Sequence, residues 1–159
     1  MPCSLKPSFV AETSLGKLTK WLRLAGLDTR FDPQSPPDLQ RLLQCAKSES
    51  RIVLTRTQRI FRVLPEHQGL LIQSDAPLVQ VRQVLRHFRL RRNDLQPLSR
   101  CLRCNQLLEP IEKARLPGDI PEYIRYTHEQ FQTCLRCRRI YWSGTHSGRA
   151  LALLNSWFE

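Results

Sequence analysis

Residues 8–26, SFVAETSLGKLTKWLRLAG, predict one strand followed by one helix. The short apolar run Ser8–Ala11 is typical of a buried strand. Leucines and an alanine then recur at helical spacing over 15–25, and Gly26 follows as a helix stop. The stretch therefore indicates a buried strand that leads directly into an amphipathic helix.

The same alternation continues to about residue 88. Strands are predicted at 28–31, 52–54 and 69–72, and helices at 38–47, 57–64 and 76–88. Continuous apolar runs such as Ile52-Val53-Leu54 are typical of strands that are buried on both faces, as in parallel sheets. The order predicts an α/β fold with a small parallel sheet in a first domain over residues 1–92.

The segment 93–159 differs in composition and is predicted to be a second, small domain. It contains cysteine pairs, prolines and aromatic residues, and helical periodicity returns only at about 147–157. It has too few apolar residues for a core that is stable alone, so it needs a cross-link. We expect a ribbon of hairpins that ends in a short C-terminal helix.

Four of the six cysteines supply the candidate cross-link. They form two Cys-x-x-Cys pairs: Cys101 with Cys104, and Cys134 with Cys137. Each pair can bind one side of a tetrahedral ion, and four sulfurs leave no position for water, which indicates a structural rather than a catalytic Zn²⁺. An iron–sulfur cluster and a coincidental dithiol are the alternatives. Cys3 and Cys45 have no partner at ligand spacing and are predicted to be plain thiols.

The charge predicts a polyanionic partner. Lysine and arginine number 25 against 14 acidic residues, which gives +11, and twenty of the basic residues are arginine. Arginine matches phosphate with two parallel hydrogen bonds, so this bias favours nucleic acid over a charge that serves solubility alone. No apolar run reaches the roughly 18 residues of a membrane span. No secretory apolar region is visible, so we expect a cytoplasmic location.

Acidic residues lie where the predicted parallel strands end. Glu12 follows the first strand, Asp38 begins the second helix, and Asp75 follows the fourth strand. Carboxylates that converge at such an edge can hold Mg²⁺ or Mn²⁺, which activates water for phosphodiester hydrolysis. The same residues also suit plainer roles, since Asp38 and Asp75 are good helix caps and Glu12 can be a solvated loop charge.

Motifs along nearly the whole chain resemble those of one family. The matching stretches are Phe9–Glu12, Leu15–Leu18, Trp21–Leu24, Gly26–Thr29, Arg51–Arg56, Cys101–Asn105 with Leu108, Phe131–Cys137 and Tyr141–His146. In this order they are similar to the Mut-seven C-terminal RNase family, in which a PIN-like domain precedes a zinc ribbon.

The resemblance implies a PIN-like three-layer sandwich with a parallel sheet, a structural zinc ribbon, RNA as substrate and hydrolysis with Mg²⁺ or Mn²⁺. The family's acids fall on Glu12, Asp38 and Asp75. Two positions depart from its pattern: Glu12 replaces the usual Asp, and the motif Leu-Thr-Arg-Asp ends here on Thr57. A neutral hydroxyl is a weak cation ligand, and the longer Glu moves its carboxylate outward, so both changes weaken a cation site.

Two functions are therefore predicted. In the first, the chain is a metal-dependent ribonuclease in which Glu12, Asp38 and Asp75 hold the ion and Thr57 positions water or phosphate. In the second, it is a catalytically weakened module that binds RNA or the ribosome. Phosphate contacts are expected from Lys17, Lys20, Arg23, Arg56, Arg59, Arg86, Arg89, Arg91 and Arg92.

Aromatic and histidine side chains of the ribbon have two interpretations each. Tyr141 and Trp142 are predicted to pack in the ribbon, with base stacking as the alternative. His146 is predicted to pack there or face RNA, with metal ligation as the alternative. A toxin-like role with a protein partner is a third functional class, because PIN-like folds are also used in that way.

Overall fold

A computed structural model describes residues 6–158; Cys3 and the side chain of His146 lie outside the described part. The first part of the chain contains β1 (Phe9–Ala11), α1 (Gly16–Leu24), β2 (Thr29–Phe31), α2 (Leu39–Ser48), β3 (Ile52–Thr55), α3 (Gln58–Val63), β4 (Gly69–Leu71) and α4 (Pro77–His87). The remaining segment contains β5 (Glu109–Ile111), α5 (Glu122–Thr127), β6 (Phe131–Thr133), β7 (Ile140–Trp142) and α6 (Thr145–Asn155).

The first four strands form one parallel sheet in the order β2-β1-β3-β4. All three residues of β1 are buried, because helices cover both faces of the sheet. Leu22 of α1 and Val81 of α4 pack on one face. Leu42 of α2 and Ile60 of α3 pack on the other face. The predicted α/β fold with a parallel sheet is thereby confirmed as a three-layer sandwich.

The carboxyl ends of these strands meet at one edge of the sheet. Glu12 directly follows β1 and Asp32 directly follows β2. Backbone hydrogen bonds hold both residues to neighbouring strands, from Asp32 N to Ala11 O at 2.9 Å and from Glu12 N to Leu54 O at 3.2 Å. This edge is the usual place for ligands in open parallel sheets.

The cysteine-containing segment forms a three-stranded antiparallel ribbon in the order β5-β6-β7. Its apolar cluster has three buried members, Leu116, Ile124 and Phe131, among the described residues. Ile124 lies on α5, a helix of six residues that the sequence pattern does not predict. One helical turn after two prolines carries too little periodicity to be recognised.

The C-terminal helix α6 packs on the sandwich rather than on the ribbon. Leu154 is fully buried in the apolar cluster that also contains Phe9 and Leu22. The ring of Trp157 lies against that of Trp21, with centroids 5.9 Å apart. The apolar core therefore crosses the division that the sequence predicts after residue 92. Within residues 6–158, no helix is long and apolar enough to cross a membrane.

Candidate functional site

The four paired cysteines converge on one point. The Sγ atoms of Cys101, Cys104, Cys134 and Cys137 all lie within 4.8 Å of one another. Those of Cys101 and Cys137 are 3.6 Å apart. Sulfurs bound to a tetrahedral Zn²⁺ at about 2.3 Å lie roughly 3.8 Å from each other, so this spacing fits the ion. The cluster could hold a metal such as zinc, and four sulfurs would make that site structural.

The two Cys-x-x-Cys turns, which we call the first and second knuckles, have the same backbone geometry. In the first, Cys101 N donates to Gln106 O at 2.8 Å, and Asn105 N donates to Cys101 O at 2.9 Å. In the second, Cys134 N donates to Arg139 O at 3.0 Å, and Arg138 N donates to Cys134 O at 2.7 Å. The residue after each second cysteine is left-handed, with φ of 65° at Asn105 and 58° at Arg138. The repeated tetrapeptide thus forms a repeated structure.

The surroundings shift the pKa values of the cysteine thiols in different directions. Burial raises the pKa of Cys101, but hydrogen bonds from the Tyr141 hydroxyl and from backbone amides outweigh it and lower this pKa to about 6. Burial and the neighbouring sulfurs raise the pKa of Cys104 to about 12. Crowded sulfurs therefore keep part of their protons until a cation replaces them.

Tyr141 and Trp142 are parts of the ribbon interior. The Tyr141 hydroxyl lies 3.2 Å from Cys101 Sγ and accepts a hydrogen bond from Leu102 N at 3.2 Å. The ring of Trp142 packs against Phe131, with centroids 6.4 Å apart. Both side chains are partly buried. These contacts agree with the predicted packing role rather than with base stacking.

Arg23 joins the first knuckle to the sandwich. Its side chain is 7% exposed and donates to the carbonyl oxygens of Thr29, Leu102 and Arg103, at 2.8, 2.9 and 2.8 Å. The sequence predicts an RNA contact for Arg23, but its guanidinium is occupied by these three carbonyls, and the RNA contact stays a prediction. The guanidinium points inward because it satisfies knuckle carbonyls that would otherwise be buried without donors.

Further polar contacts surround Arg23. Asn105 accepts from Thr29 N at 3.0 Å and donates to Asp28 Oδ1 at 2.7 Å. Arg51 donates to the same oxygen at 2.6 Å. Arg100 donates to Asn105 O at 2.8 Å and to Gly26 O at 3.3 Å. We call the contacts of Arg23, Gly26, Asp28, Arg100 and Asn105 the knuckle interface.

Glu12 lies at the strand edge, and its carboxylate is enclosed by hydrogen-bond donors. Its side chain is 1% exposed. Ser14 Oγ donates to Oε1 at 2.8 Å, and Arg56 N donates to the same oxygen at 2.9 Å. Thr55 Oγ1 donates to Oε2 at 2.6 Å, and Thr57 Oγ1 lies 3.2 Å from it. Both oxygens are thus engaged by the protein, which leaves little capacity for a cation.

Asp38 and Asp75 have other partners. Asp38 Oδ1 accepts from Gln40 N at 2.8 Å and caps α2, which is the plainer role that the sequence allows. Asp75 is 86% exposed and pairs with Arg56. Among residues 6–158, the cysteines are the only group of three or more potential ligand side chains within ligand distance of one another. The residues at this edge therefore do not fit Mg²⁺ or Mn²⁺ as arranged, and that cation site stays a prediction.

Asp32 is an acidic residue at this edge that sequence reasoning missed. Its side chain is mostly buried, accepts from Gln34 N at 3.2 Å, and lies 3.5 Å from Arg41 Nη2. The signal was present, because Asp32 follows its strand as Glu12 follows β1. Sequence reasoning gave the second acidic position to Asp38 instead.

The comparisons with known proteins agree with this architecture. A family model described as the Mut7-C RNAse domain matches residues 7–154. The chain belongs to the Mut7-C RNAse domain family. No curated protein and no solved structure matches it significantly. The family match spans both the sandwich and the ribbon, and it supports a function connected with RNA.

The other basic residues expected to contact RNA in this Mut7-C domain divide into two groups. Arg56 pairs with Asp75, and Arg92 donates to Asn155 Oδ1 at 2.7 Å. The rest are exposed and make no side-chain hydrogen bond or ion pair within the described part of the chain. This second group consists of Lys17, Lys20, Arg59, Arg86, Arg89 and Arg91.

Proposed function

We propose that this Mut7-C RNAse domain binds single-stranded RNA through its basic helix surfaces and cleaves it weakly or not at all. The observation that carries the proposal is the enclosed carboxylate of Glu12, whose two oxygens accept from Ser14, Thr55 and the amide of Arg56. A cation would have to displace these donors, and Thr57 supplies no charge in return. The acidic centre therefore acts as a structural link between the ends of β1 and β3.

The helices of the sandwich support phosphate binding. Helices α1 to α4 contain eight exposed lysine and arginine residues besides the buried Arg23, and no aspartate or glutamate. The usual stabilising pairs of opposite charge along a helix are therefore absent, and like charges repel one another. A bound phosphate backbone neutralises such a surface and releases its own counterions.

The ribbon belongs to the same proposal as a structural part. Its cysteine cluster fits one Zn²⁺. Such an ion would fix the first knuckle, whose carbonyls accept from Arg23. The expected content is one zinc per chain, measured by elemental analysis of the purified protein.

The test measures binding and cleavage of a labelled single-stranded RNA in Mn²⁺. The natural chain is expected to bind with an affinity that falls steeply with salt and to leave most of the RNA intact. Absence of binding at low salt would overturn the proposal. Complete cleavage that requires Mn²⁺ and disappears in Glu12→Gln would also overturn it and would support the second candidate, a metal-dependent ribonuclease. The family match supports a ribonuclease without naming a metal.

Thr57→Asp is the complementary variant, because it restores the carboxylate of the family motif. The hydroxyl that it replaces lies 3.2 Å from Glu12 Oε2, so two carboxylates would repel there unless a cation lies between them. We expect Mn²⁺ to raise the melting temperature of Thr57→Asp but not that of the natural chain. The matched control is Thr57→Asn, because asparagine has nearly the same shape as aspartate but no charge. An equal Mn²⁺ response in all three proteins would contradict the account of Glu12.

A further inference from the structure

A pocket of about 440 Å³ lies between helix α4 and the segment that follows α6. Three arginines line one side of the pocket. Arg82 and Arg86 lie on α4, and Arg89 lies just after it. Two aromatic residues, Trp157 and Phe158, line the other. The volume falls in the range of small-molecule sites, which admits one nucleotide and excludes a duplex.

The three arginines lack partners within the protein. None of them makes a side-chain hydrogen bond or ion pair with any residue of 6–158. Arg82 and Arg86 are four residues apart on one side of α4, where like charges repel, and Arg89 lines the same pocket two residues after the helix ends. The helix dipole favours the cations of the last turn, Arg86 included, but it does not favour Arg82 one turn earlier. An anion in the pocket would relieve this repulsion.

The aromatic side of the pocket contacts the sandwich through Trp157, which also carries an unpaired hydrogen-bond donor. Trp157 packs against Trp21, and the guanidinium of Arg82 lies 5.9 Å from the centroid of the Trp157 ring. The indole Nε1 of Trp157 is buried with no hydrogen-bond acceptor in the described structure. A buried donor without an acceptor is rare in proteins, and a ligand that reaches it would stabilise this segment. Aromatic faces next to arginines are the usual elements of sites for unpaired bases.

We propose that this pocket binds one nucleotide of single-stranded RNA. Arg86 and Arg89 would hold its phosphate, and Trp157 with Phe158 would contact its base. The inference rests on the proposed RNA-binding function. It adds a defined site on the face of the sheet that α1 and α4 cover. The pocket would therefore recognise a phosphate together with the unpaired base next to it, and not negative charge alone.

The test compares two double variants that remove the same charge. Arg86→Ala with Arg89→Ala alters the pocket, whereas Lys47→Ala with Arg62→Ala removes two exposed cations from α2 and α3, on the opposite side of the sheet. Binding of an RNA of about eight nucleotides is measured by fluorescence anisotropy at low and moderate salt. We expect the pocket variant to lose affinity about tenfold or more and the control to lose clearly less. Equal losses would overturn the pocket while leaving RNA binding intact, and absence of binding by the natural chain would overturn the proposed function itself.

Tryptophan fluorescence gives a second readout that charge alone would not change. Addition of the RNA should change the emission of the natural chain and of Trp142→Phe, but much less that of Trp157→Phe, because Trp157 lines the pocket. Adenosine monophosphate, adenosine and inorganic phosphate serve as separate competitors. The monophosphate should compete best. Equal competition by inorganic phosphate would overturn the base contact and show an anion site instead.

Discussion

The sandwich and the ribbon bury very different amounts of apolar surface. In the sandwich, fifteen buried residues, among them members of β1, β3, β4, α1, α4 and α6, form one cluster. In the ribbon, the cluster has three buried residues among those described, and the same segment contains the four cysteine sulfurs. A domain with a large core is stable through burial, whereas a small one needs a cross-link. The ribbon is therefore expected to depend on a metal held by its four cysteines and on its contact with the sandwich.

The largest expected effect is that of metal removal. A structural Zn²⁺ contributes on the order of 10 kcal/mol of binding free energy, which exceeds what the ribbon cluster alone can supply. Chelation, or Cys134→Ser, should increase hydrogen exchange of the β6 and β7 amides strongly and of the β1 and β3 amides much less. Mass spectrometry of exchanged peptides measures both regions in one experiment.

Cys45→Ser is the control for that experiment. Burial raises the pKa of the Cys45 thiol, which keeps it protonated, and it lies outside the cysteine cluster. The variant should retain the metal and the exchange pattern of the natural chain. Full protection of β6 and β7 after chelation would contradict the comparison, because the ribbon would then be stable through its apolar cluster alone.

Periodicity was sufficient to predict the sandwich, and spacing was sufficient to predict the cysteine cluster. Both signals are local, since a helix or a knuckle needs only residues a few positions apart. The knuckle interface could not be predicted in this way, because Arg23 and Leu102 are far apart in sequence. From sequence alone, a basic residue on a helix is expected to be exposed. Only the fold shows that Arg23 is buried and donates to the carbonyl oxygen of Leu102, which would otherwise lack a donor.

The surroundings of Glu12 could not be predicted from local sequence patterns either. The strand order placed Glu12 and Thr57 at one edge, as the alternation of strands and helices implies. Spacing could not show that Ser14 and Thr55 would enclose the carboxylate, because that depends on side-chain directions around the edge. The sequence therefore predicted where Glu12 and Thr57 lie in the fold, whereas the cation site itself stays a prediction.

Arg23→Ala should have the second largest effect. It leaves the carbonyls of Leu102 and Arg103 without their charged donor, so we expect a loss of about 3 kcal/mol in the free energy of unfolding. Urea denaturation measures it. Lys20→Ala, on the exposed side of the same helix, should change stability by less than about 0.5 kcal/mol. Similar values for both variants would mean that the knuckle interface contributes little.

Gly26→Ala tests the backbone part of the same interface. Gly26 has φ of +86°, and a Cβ atom there would lie 2.2 Å from the carbonyl oxygen of Gln96. We expect a loss of about 2 kcal/mol, because both the backbone and the neighbouring segment must move. At Gly118 a Cβ would meet nothing within 4 Å, so Gly118→Ala should be nearly neutral by thermal denaturation. Equal melting temperatures of the two variants would refute the close contact.

Asp28 should make the interface sensitive to acid. Burial raises its pKa, but hydrogen bonds from Arg51 and Asn105 outweigh this and lower it below the ordinary 3.8. A depressed pKa in the folded state gives stability that is present above the ordinary value and is lost as the pH falls through the folded value. Asp28→Asn should therefore cost on the order of 1 kcal/mol near pH 7 and progressively less below about pH 4. Urea midpoints across this range test it, and a difference that does not vary with pH would contradict it.

Gly148→Ala should have the smallest effect, with the opposite sign. Gly148 lies inside α6 and a Cβ there would meet nothing within 4 Å, so alanine should stabilise the helix by about 0.5–1 kcal/mol. The variant also decides to which region α6 belongs, because Leu154 packs in the sandwich core although the helix follows the ribbon in sequence. If α6 is part of the sandwich, the gain in melting temperature persists after chelation of the metal. A gain that disappears with the metal would assign α6 to the ribbon. It would contradict the claim that the sandwich, with α6 included, is stable independently of the metal.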